Sequence, residues 1–481
     1  DSAAMKRITR YVLFTLVASG LFLFGLNSCD SGPSLQLWHT VKLTEEYAEK
    51  KADVVQSFSD YLALEQRLFR QFDEKVYAKS ATGPDYALER YSTGSAADPK
   101  RRQPNWNRSF ELPAESAVGG VLLLHGMSDS PYSLRMLGKA LNQRGFQVIG
   151  LRMPGHGTAP SGLRYVRWQD MAAAVTLAMK HLAAELGNKP IHIIGYSTGA
   201  PLAMNFALDS LEDEALATPA SLVLVSPAIR VHPTSALAGF KNSLSALPGL
   251  SGLAYLSVMD EFDPYKYNSF ATNAGAQVHR ITRRVDQRIQ SLAQNPSMRD
   301  KLPPILVFKS TVDSTVTTDA VIDNLLLHLP AASNELVLFD INRNAAIKST
   351  FLDSDPGPLT NRLMADPKLP FGVTFVTNES RHSTRVVARH KEAYSADATD
   401  TETLDAAWPR GVVSLSHVAL PITPDDPLYG QQPPTDDVVF LGDLAMTGER
   451  GLLKIPGDWL LRMRYNPFYD YLERRTLEWM E

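Results

Sequence analysis

The chain has 481 residues, of which 44% are hydrophobic and 21% are charged, the proportions of a folded globular protein. This length is enough for one large domain with insertions or for two ordinary domains. The formal net charge of −4 gives no reason to expect a nucleic-acid partner, which usually shows as a basic face. No solenoid-type repeat and no zinc-type spacing of Cys and His is found in the sequence.

Residues 1–29 have the features of a signal peptide or a membrane anchor. A positive cluster at residues 6–10 precedes an uncharged, mostly apolar run, Tyr11–Leu26, and the single cysteine, Cys29, follows. A small residue before a lone Cys at this place resembles a bacterial lipoprotein cleavage site, which implies lipid on the Cys29 sulfur. The alternative is an uncleaved anchor with an incidental Cys. Both interpretations predict an extracytoplasmic chain, tethered to the membrane through its N-terminus and facing the periplasm.

Residues 30–110 are predicted to form a linker and an N-terminal helical extension. The linker covers residues 30–39, and apolar residues at three- and four-residue spacing predict a helix from about Leu43 to Lys79. We expect this helix to pack on the body of the protein. A helix that faces a membrane or a partner is the alternative. Residues 80–110 are expected to be irregular.

From residue 118 onward, short apolar runs alternate with amphipathic helical stretches. The predicted helices are Leu134–Arg144, Met171–Leu186, Ala200–Leu208 and Ala320–Leu329. The predicted strands are Val118–Leu124, Phe146–Leu151, Ile191–Gly195, Leu222–Ser226, Ile305–Phe308 and Glu335–Phe339. Such alternation predicts an α/β fold with a mostly parallel central sheet and helices on both faces.

Two stretches interrupt this alternation. Residues 230–302 are too long for a plain crossover, and residues 345–410 follow the last clear strand. Insertions of this kind usually lie at the functional rim of an α/β scaffold. Within the second insertion, Phe371–Val376 could add a strand. The chain then continues through Val438–Leu441 to a predicted C-terminal helix, Tyr469–Met480.

The sharpest motif is Gly-Tyr-Ser-Thr-Gly at residues 195–199, directly after one predicted strand and before a helix. A Ser on such a turn takes a strained conformation that projects its hydroxyl from the sheet edge. The two glycines let the strand and the helix approach closely. This context indicates that Ser197 is a nucleophile.

A second motif, His125-Gly126-Met127, directly follows the first buried strand. Acyl transfer develops negative charge on the carbonyl oxygen, which requires preorganised N–H donors. The backbone N–H groups of Met127 and Thr198 are the predicted donors of an oxyanion hole. We expect a structural role for the His125 ring.

These motifs, together with Pro-Gly-His-Gly at residues 154–157, resemble the α/β-hydrolase superfamily. More narrowly they are similar to its monoacylglycerol lipase, lysophospholipase and serine aminopeptidase group. The resemblance covers roughly residues 118–345 and a His-bearing segment near the end. It implies an α/β-hydrolase domain over residues 111–481, with residues 230–302 as a lid and His156 in a structural role.

The family's catalytic residues occur in the order Ser, acid, His. The acid is expected just beyond a late strand, where Asp313 follows Ile305–Ser310. A buried carboxylate at this place would orient an imidazole and stabilise its protonated form. Asp319, on the following helix, and Asp340, after the next strand, are the competing candidates.

The general base must be a His beyond the acid, and four qualify by order: His328, His382, His390 and His417. His328 lies in an amphipathic helix, and the next two lie among Arg and Lys. His417 follows an apolar, strand-like run, Val412–Ser416, which is where the family places its base. We therefore expect His417 to be the base.

The predicted activity is that of a serine hydrolase acting on acyl esters, with lipid-derived esters as the expected class, without a metal or a cofactor. One alternative is a peptidase or amidase on the same three residues. It would need a carboxylate for a free amino terminus, which Asp260, Glu261 or Asp263 could supply. The other alternative is a hydrolase-like binding or scaffold protein at the membrane.

Overall fold

The computed structural model describes residues 34–230, 251–313, 316–345, 355–432, 439–442 and 462–481. The predicted signal or anchor segment with Cys29 therefore lies outside the described residues, as do parts of both predicted insertions. Across the ranges that are described, no helix combines the length and the apolar character needed to cross a membrane.

A ten-stranded sheet organises the described part of the chain. The strands of this sheet are β1 Phe110–Leu112, β2 Gly119–Leu124, β3 Phe146–Leu151, β4 Ile191–Tyr196, β5 Ser221–Val225, β8 Ile305–Ser310, β9 Asn334–Phe339, β10 Gly372–Asn378, β11 Arg385–Lys391 and β12 Asp400–Ala407. Two further strands, β6 Tyr255–Ser257 and β7 Phe270–Ala271, form a small separate ribbon. The order across the large sheet is β1-β3-β2-β4-β5-β8-β9-β10-β11-β12.

The strands from β3 to β10 in this order pair in parallel, which confirms the predicted mostly parallel sheet. Three antiparallel strands complete its edges: β1 pairs with β3, β11 with β10, and β12 with β11. The six strands predicted between residues 118 and 339 are all present, with ends that differ by one or two residues. These runs were recognisable because strands buried on both faces are almost continuously apolar.

The α-helices are α1 Leu37–Thr40, α2 Phe58–Lys75, α3 Arg135–Gln143, α4 Trp168–Leu186, α5 Gly199–Glu212, α6 Thr272–Ala293, α7 Pro296–Arg299, α8 Thr318–Asn324, α9 Gly357–Ala365 and α10 Tyr469–Met480. Alternate residues of each central strand enter two different apolar cores. Leu122 and Ile193 pack with α2, α4, α5 and α6, whereas Val121 and Ile194 pack with α3 and α10. Helices therefore cover both faces of the sheet, as predicted.

The N-terminal extension differs from the prediction in where its helix begins. The helix spans Phe58–Lys75 instead of Leu43–Lys79, because Ser57 and Asp60 form a capping box at its start. The predicted linker also contains α1. Phe58 and Tyr61 join the apolar core of the sheet, so α2 packs on the body of the protein as expected.

The second insertion continues the sheet instead of lying over its rim. The described part contains α9 and then β10, which confirms the strand predicted at Phe371–Val376. The β11–β12 hairpin was not predicted; its strands carry many charged residues, as an outer edge requires.

The described part of the first insertion, residues 251–302, forms the β6–β7 ribbon and the long helix α6. Ile281 and Val285 of this helix are buried in the core that also holds α4 and α5. The remainder, residues 231–250, lies outside the described residues, and the assignment of this insertion as a lid stays a prediction.

Candidate active site

Ser197 stands on the turn between β4 and α5, with a backbone φ of 52° that L-residues rarely adopt. The turn is tight enough to exclude side chains at both flanking glycines. A Cβ at Gly195 would lie 2.6 Å from the Cα of Ala200, and one at Gly199 would lie 2.1 Å from the carbonyl oxygen of Leu124. The Gly-x-Ser-x-Gly spacing thus gives the strained turn that the sequence predicted.

The structure brings the three predicted catalytic side chains into one hydrogen-bonded chain. The Ser197 Oγ lies 3.0 Å from His417 Nε2, and His417 Nδ1 lies 2.8 Å from Asp313 Oδ2. Asp313 and His417 are buried, with exposed fractions of 7% and 5%. This is the geometry in which an imidazole can take a proton from a hydroxyl while a carboxylate orients the ring.

Burial alone would raise the pKa of Asp313. The hydrogen bond from His417, and the charges of His417 and Lys309, outweigh burial and hold this pKa well below its usual range. Asp313 is therefore ionised, as a carboxylate that supports an imidazolium must be.

The loop that carries His417 is not preceded by a strand, so the prediction of a strand at Val412–Ser416 was wrong. Side chains from the ends of neighbouring strands hold it instead. The Ser310 hydroxyl donates to the carbonyl of Leu415 at 2.9 Å, and the Asn342 amide donates to that of Val412 at 2.8 Å. Because side chains satisfy these carbonyls, the segment reaches the sheet edge without a β ladder.

The competing candidates lie in other surroundings. Asp340 accepts from Arg343 at 2.8 Å, and Asp319 lies 3.7 Å from Arg362. His390 contacts the Thr374 hydroxyl at 2.8 Å on the outer part of the sheet. His382 is exposed and His328 is partly exposed. The catalytic roles of Ser197, Asp313 and His417 remain predictions that their geometry supports.

The predicted oxyanion donors lie on the two turns that meet at Ser197. A Cβ at Gly126 would lie 3.1 Å from the Ser197 Cβ, so the loop after β2 presses against the nucleophile. Within the described ranges, neither the Met127 N–H nor the Thr198 N–H has a hydrogen-bond acceptor in the protein. Both donors are thus available to an oxyanion.

His125 and His156 are buried and hydrogen-bonded to backbone. His125 Nε2 accepts from the Met153 N–H at 3.1 Å, and its Nδ1 lies 2.8 Å from the Gly126 carbonyl. His156 Nδ1 lies 3.0 Å from the Pro154 carbonyl. Burial lowers the pKa of each ring to about 3, so both are neutral. His125 joins its own loop to Met153, and the His156 ring packs against it with centroids 4.9 Å apart.

A cavity of about 320 Å³ opens beside Ser197 and His417. Its apolar walls come from Met127, Ala228, Phe270, Val278, Val316 and Val418. Lys266 and Arg462 also line it. Apart from Met127, these wall residues were not identified from the sequence, because they come from loops, from β7 and from α6, whose approach to Ser197 no local pattern indicates.

The structure also adds Lys309, which the sequence analysis missed. It is the penultimate residue of the buried strand β8, and its Nζ lies 2.8 Å from Asp313 Oδ2, with both side chains fully buried. A lysine in an otherwise apolar strand, four residues before the candidate acid, was the available signal.

Two of the carboxylates considered for binding a free amino terminus are engaged within their own segment. Glu261 accepts from the backbone N–H groups of Asn268 and Ser269, and Asp263 from those of Tyr265 and Lys266. Both are buried, whereas Asp260 is exposed. The hydrogen bonds of Glu261 and Asp263 are those of carboxylates that stabilise a loop.

Residues 115–340 match the family model described as "Serine aminopeptidase, S33". A thermostable monoacylglycerol lipase from Bacillus sp. (strain H-257) is 32% identical over 94 residues, which are 20% of this chain and 37% of the lipase. A carboxylesterase from Bacillus subtilis (strain 168) is 35% identical over 79 residues, 16% of this chain and 32% of that enzyme. The chain thus spans about a third of the length of these curated relatives.

A solved structure, that of Paleococcus ferrophilus monoacylglycerol lipase, aligns with a TM-score of 0.36 and 17% sequence identity. The alignment covers 48% of this chain and 88% of that lipase. The match to the family model begins just before β2 and ends just after β9, so the nucleophile turn and the candidate acid fall inside it and the candidate base falls outside.

Proposed function

We propose that the chain is a serine hydrolase of the α/β-hydrolase superfamily, in the serine aminopeptidase and monoacylglycerol lipase group, and that it cleaves acyl esters. One observation carries the proposal. The Ser197 hydroxyl, on a turn with positive φ, is hydrogen-bonded through His417 to a buried Asp313 and borders a cavity with apolar walls.

In the first half of the proposed reaction, His417 Nε2 takes the Ser197 proton as the Oγ attacks the acyl carbon. The negative charge that develops on the carbonyl oxygen is stabilised by the N–H groups of Met127 and Thr198. Asp313 holds the ring through Nδ1 and stabilises the imidazolium. His417 then gives its proton to the departing alcohol, and the acyl group remains on Ser197.

In the second half, water replaces the alcohol. His417 takes a proton from the water, the hydroxide attacks the acyl carbon, and the second tetrahedral intermediate uses the same two N–H donors. Collapse returns the proton to Ser197 and releases the carboxylic acid. The His417 ring takes part in every proton transfer of both halves, so the reaction needs no other acid or base.

We propose lipid-derived esters as the substrate class. The apolar cavity walls beside Ser197 suit an acyl chain, because burying apolar surface on binding is favourable. The name of one curated relative, a monoacylglycerol lipase, agrees with this class, and that of the other, a carboxylesterase, agrees with ester hydrolysis.

The N-terminal features support a second part of the proposal, that the enzyme is tethered to a membrane outside the cytoplasm with lipid on Cys29. The test is mass spectrometry of the mature N-terminus after expression in a bacterium with lipoprotein processing. A diacylglyceryl-modified Cys29 as the first residue would support the tether. An intact N-terminal segment with an unmodified thiol would favour an uncleaved anchor.

Two experiments separate the ester hydrolase from its alternatives. A fluorophosphonate probe should label Ser197, and absence of labelling would favour a binding or scaffold role. The labelled enzyme's substrates are then compared as p-nitrophenyl esters of increasing chain length and as aminoacyl p-nitroanilides. We expect turnover of the esters, because Glu261 and Asp263, two of the three carboxylates considered for amine binding, are already engaged in their own loop. Preferred turnover of the anilides would overturn the ester proposal.

A further inference from the structure

We infer that Lys309 is a positioning residue that fixes Asp313 and extends the activity of the site toward lower pH. This inference rests on the proposed function, since it assigns regulation to the same Ser197–His417–Asp313 site. Lys309 does not touch the substrate and acts on the reaction through its contact with Asp313.

The geometry places two donors on one carboxylate oxygen. Asp313 Oδ2 lies 2.8 Å from Lys309 Nζ and 2.8 Å from His417 Nδ1. The side chains of Lys309 and Asp313 are both fully shielded from solvent. The ammonium is therefore a permanent part of the environment in which the imidazole gains and loses its proton.

The second contact of the ammonium fixes the loop that holds the acid. Lys309 Nζ donates to the carbonyl of Val316 at 2.6 Å, while the Val316 N–H donates to Asp313 Oδ1 at 3.2 Å. Through these contacts Lys309 connects β8 both to the carboxylate of Asp313 and to the carbonyl of Val316. Val316 also lines the cavity beside Ser197, so the same contact sets the position of a cavity wall.

The charge of Lys309 opposes that of a protonated His417. A carboxylate next to an imidazole favours the imidazolium, and a cation on that carboxylate removes part of this preference. We therefore expect the site to stay active at lower pH with Lys309 in contact with Asp313 than with Asp313 alone. Burial lowers the pKa of Lys309 itself, and Asp313 counters that shift.

Other charged or titratable groups also face the site. The Tyr196 ring centroid lies 5.7 Å from that of His417. Lys266 and Asp129 line the cavity from loops, as does Arg462 from the segment before α10. Lys309 differs from these in its direct hydrogen bond to the acid, so its removal should change the pH profile most directly.

The experiment compares Lys309→Met, which keeps the length of the side chain without its charge, with Lys309→Gln, which keeps a donor for Val316. Lys391→Met is the matched control. Lys391 is also fully buried on a strand, and it donates to the backbone carbonyl of Asp366 in the outer part of the sheet. The second-order rate of fluorophosphonate labelling and kcat/KM for a p-nitrophenyl ester are measured between pH 5 and 9 on each variant that keeps the wild-type circular dichroism spectrum.

We expect the acid limb of both profiles to move up by about 0.5–1 pH unit in the Lys309 variants, as the loss of one neighbouring cation implies. The control should lose thermal stability and keep the wild-type limb. A uniform loss of rate at every pH, with an unmoved limb, would overturn the inference and leave Lys309 as a structural residue. If wild-type Ser197 is not labelled at all, the proposed function fails instead, so the two failures are distinguishable.

Discussion

Among the buried charges of the described residues, two clusters have different roles. In the first, Arg152, at the end of β3, has an exposed fraction of 1% and forms ion pairs with Glu65 at 2.9 Å and Glu46 at 3.0 Å. In the second, Asp313 lies between Lys309 and His417. Both clusters hold a cation against a carboxylate away from water, so burial of charge does not by itself distinguish a structural site from a reactive one.

The difference lies in what surrounds each pair. The Arg152 cluster joins the N-terminal extension to the sheet, and its guanidinium also donates to the carbonyl of His156 at 3.0 Å. The Asp313 cluster leads through one ring to a hydroxyl on a strained turn beside a cavity. The first arrangement ties two segments together, and the second can move a proton. Mutations in the two clusters should therefore separate stability from activity.

The largest effect is expected from Ser197→Ala. Losing the nucleophile of a Ser-His-Asp site reduces kcat by about 10⁵–10⁶-fold. The free energy of unfolding should change by less than about 1 kcal/mol, because only the hydroxyl is removed. Ester turnover and chemical denaturation of the same preparation check both parts, and substantial turnover by the folded variant would exclude Ser197 as the nucleophile.

The second prediction compares His417→Ala with His390→Ala. The first removes the proposed base and should lower kcat/KM by at least about 10⁴-fold. His390 is the matched control, since its ring contacts Thr374 and Glu335 far along the sheet from Ser197. Esterase rates and probe labelling of both variants decide the assignment. Equal loss in the two would mean that the base has been misassigned.

The third prediction concerns the other cluster. Arg152→Met leaves Glu46 and Glu65 without their cation, and removal of one partner of a buried ion pair costs about 3–5 kcal/mol of unfolding free energy. Urea unfolding followed by tryptophan fluorescence measures this loss. The molecules that remain folded should still be labelled at Ser197 at the wild-type rate; a defect in labelling without a defect in stability would reverse the roles of the two clusters.

The smallest effect is expected from Tyr61→Phe. The Tyr61 hydroxyl donates to the carbonyl of Arg152 at 2.5 Å in a buried position. Its removal leaves that carbonyl without this donor and should destabilise the protein by about 1–2 kcal/mol. Thermal unfolding, with the exposed Tyr86→Phe as the control, measures the difference. A change as small as in the control would show that the Tyr61 hydrogen bond contributes little to holding α2 on the sheet.

Some elements of the fold were predictable and others were not, for physical reasons. Gly119–Leu124 and its parallel neighbours were recognised because burial on both faces leaves a continuous apolar run. The start of α2 was misplaced because apolar spacing does not mark a helix end, although Ser57 and Asp60 form a recognisable capping box. The strand Arg385–Lys391 escaped notice because its charged, partly exposed sequence resembles a loop.

In the site, the chain order implied by the resemblance and the flanking residues predicted Asp313 and His417, which the structure places in one hydrogen-bonded chain with Ser197. Ser197 followed from its motif, which depends on local sterics alone. Lys309 could not be assigned in the same way, because its role depends on a tertiary contact that no spacing rule describes. The cavity walls depend likewise on where α6 packs.

The hydrogen bond between His417 and Asp313 joins residues that are 104 positions apart, with β9, β10, β11 and β12 between them. This separation in sequence has little effect on the stability of the fold, because closing a loop twice as long costs only about 0.6 kcal/mol more. It has a larger effect on the rate of folding, since contacts between residues distant in sequence form slowly. A nascent chain that has emerged only through β9 contains the nucleophile turn and the acid but not the base. The enzyme we propose can therefore react with an ester only after its last strands have been made and paired.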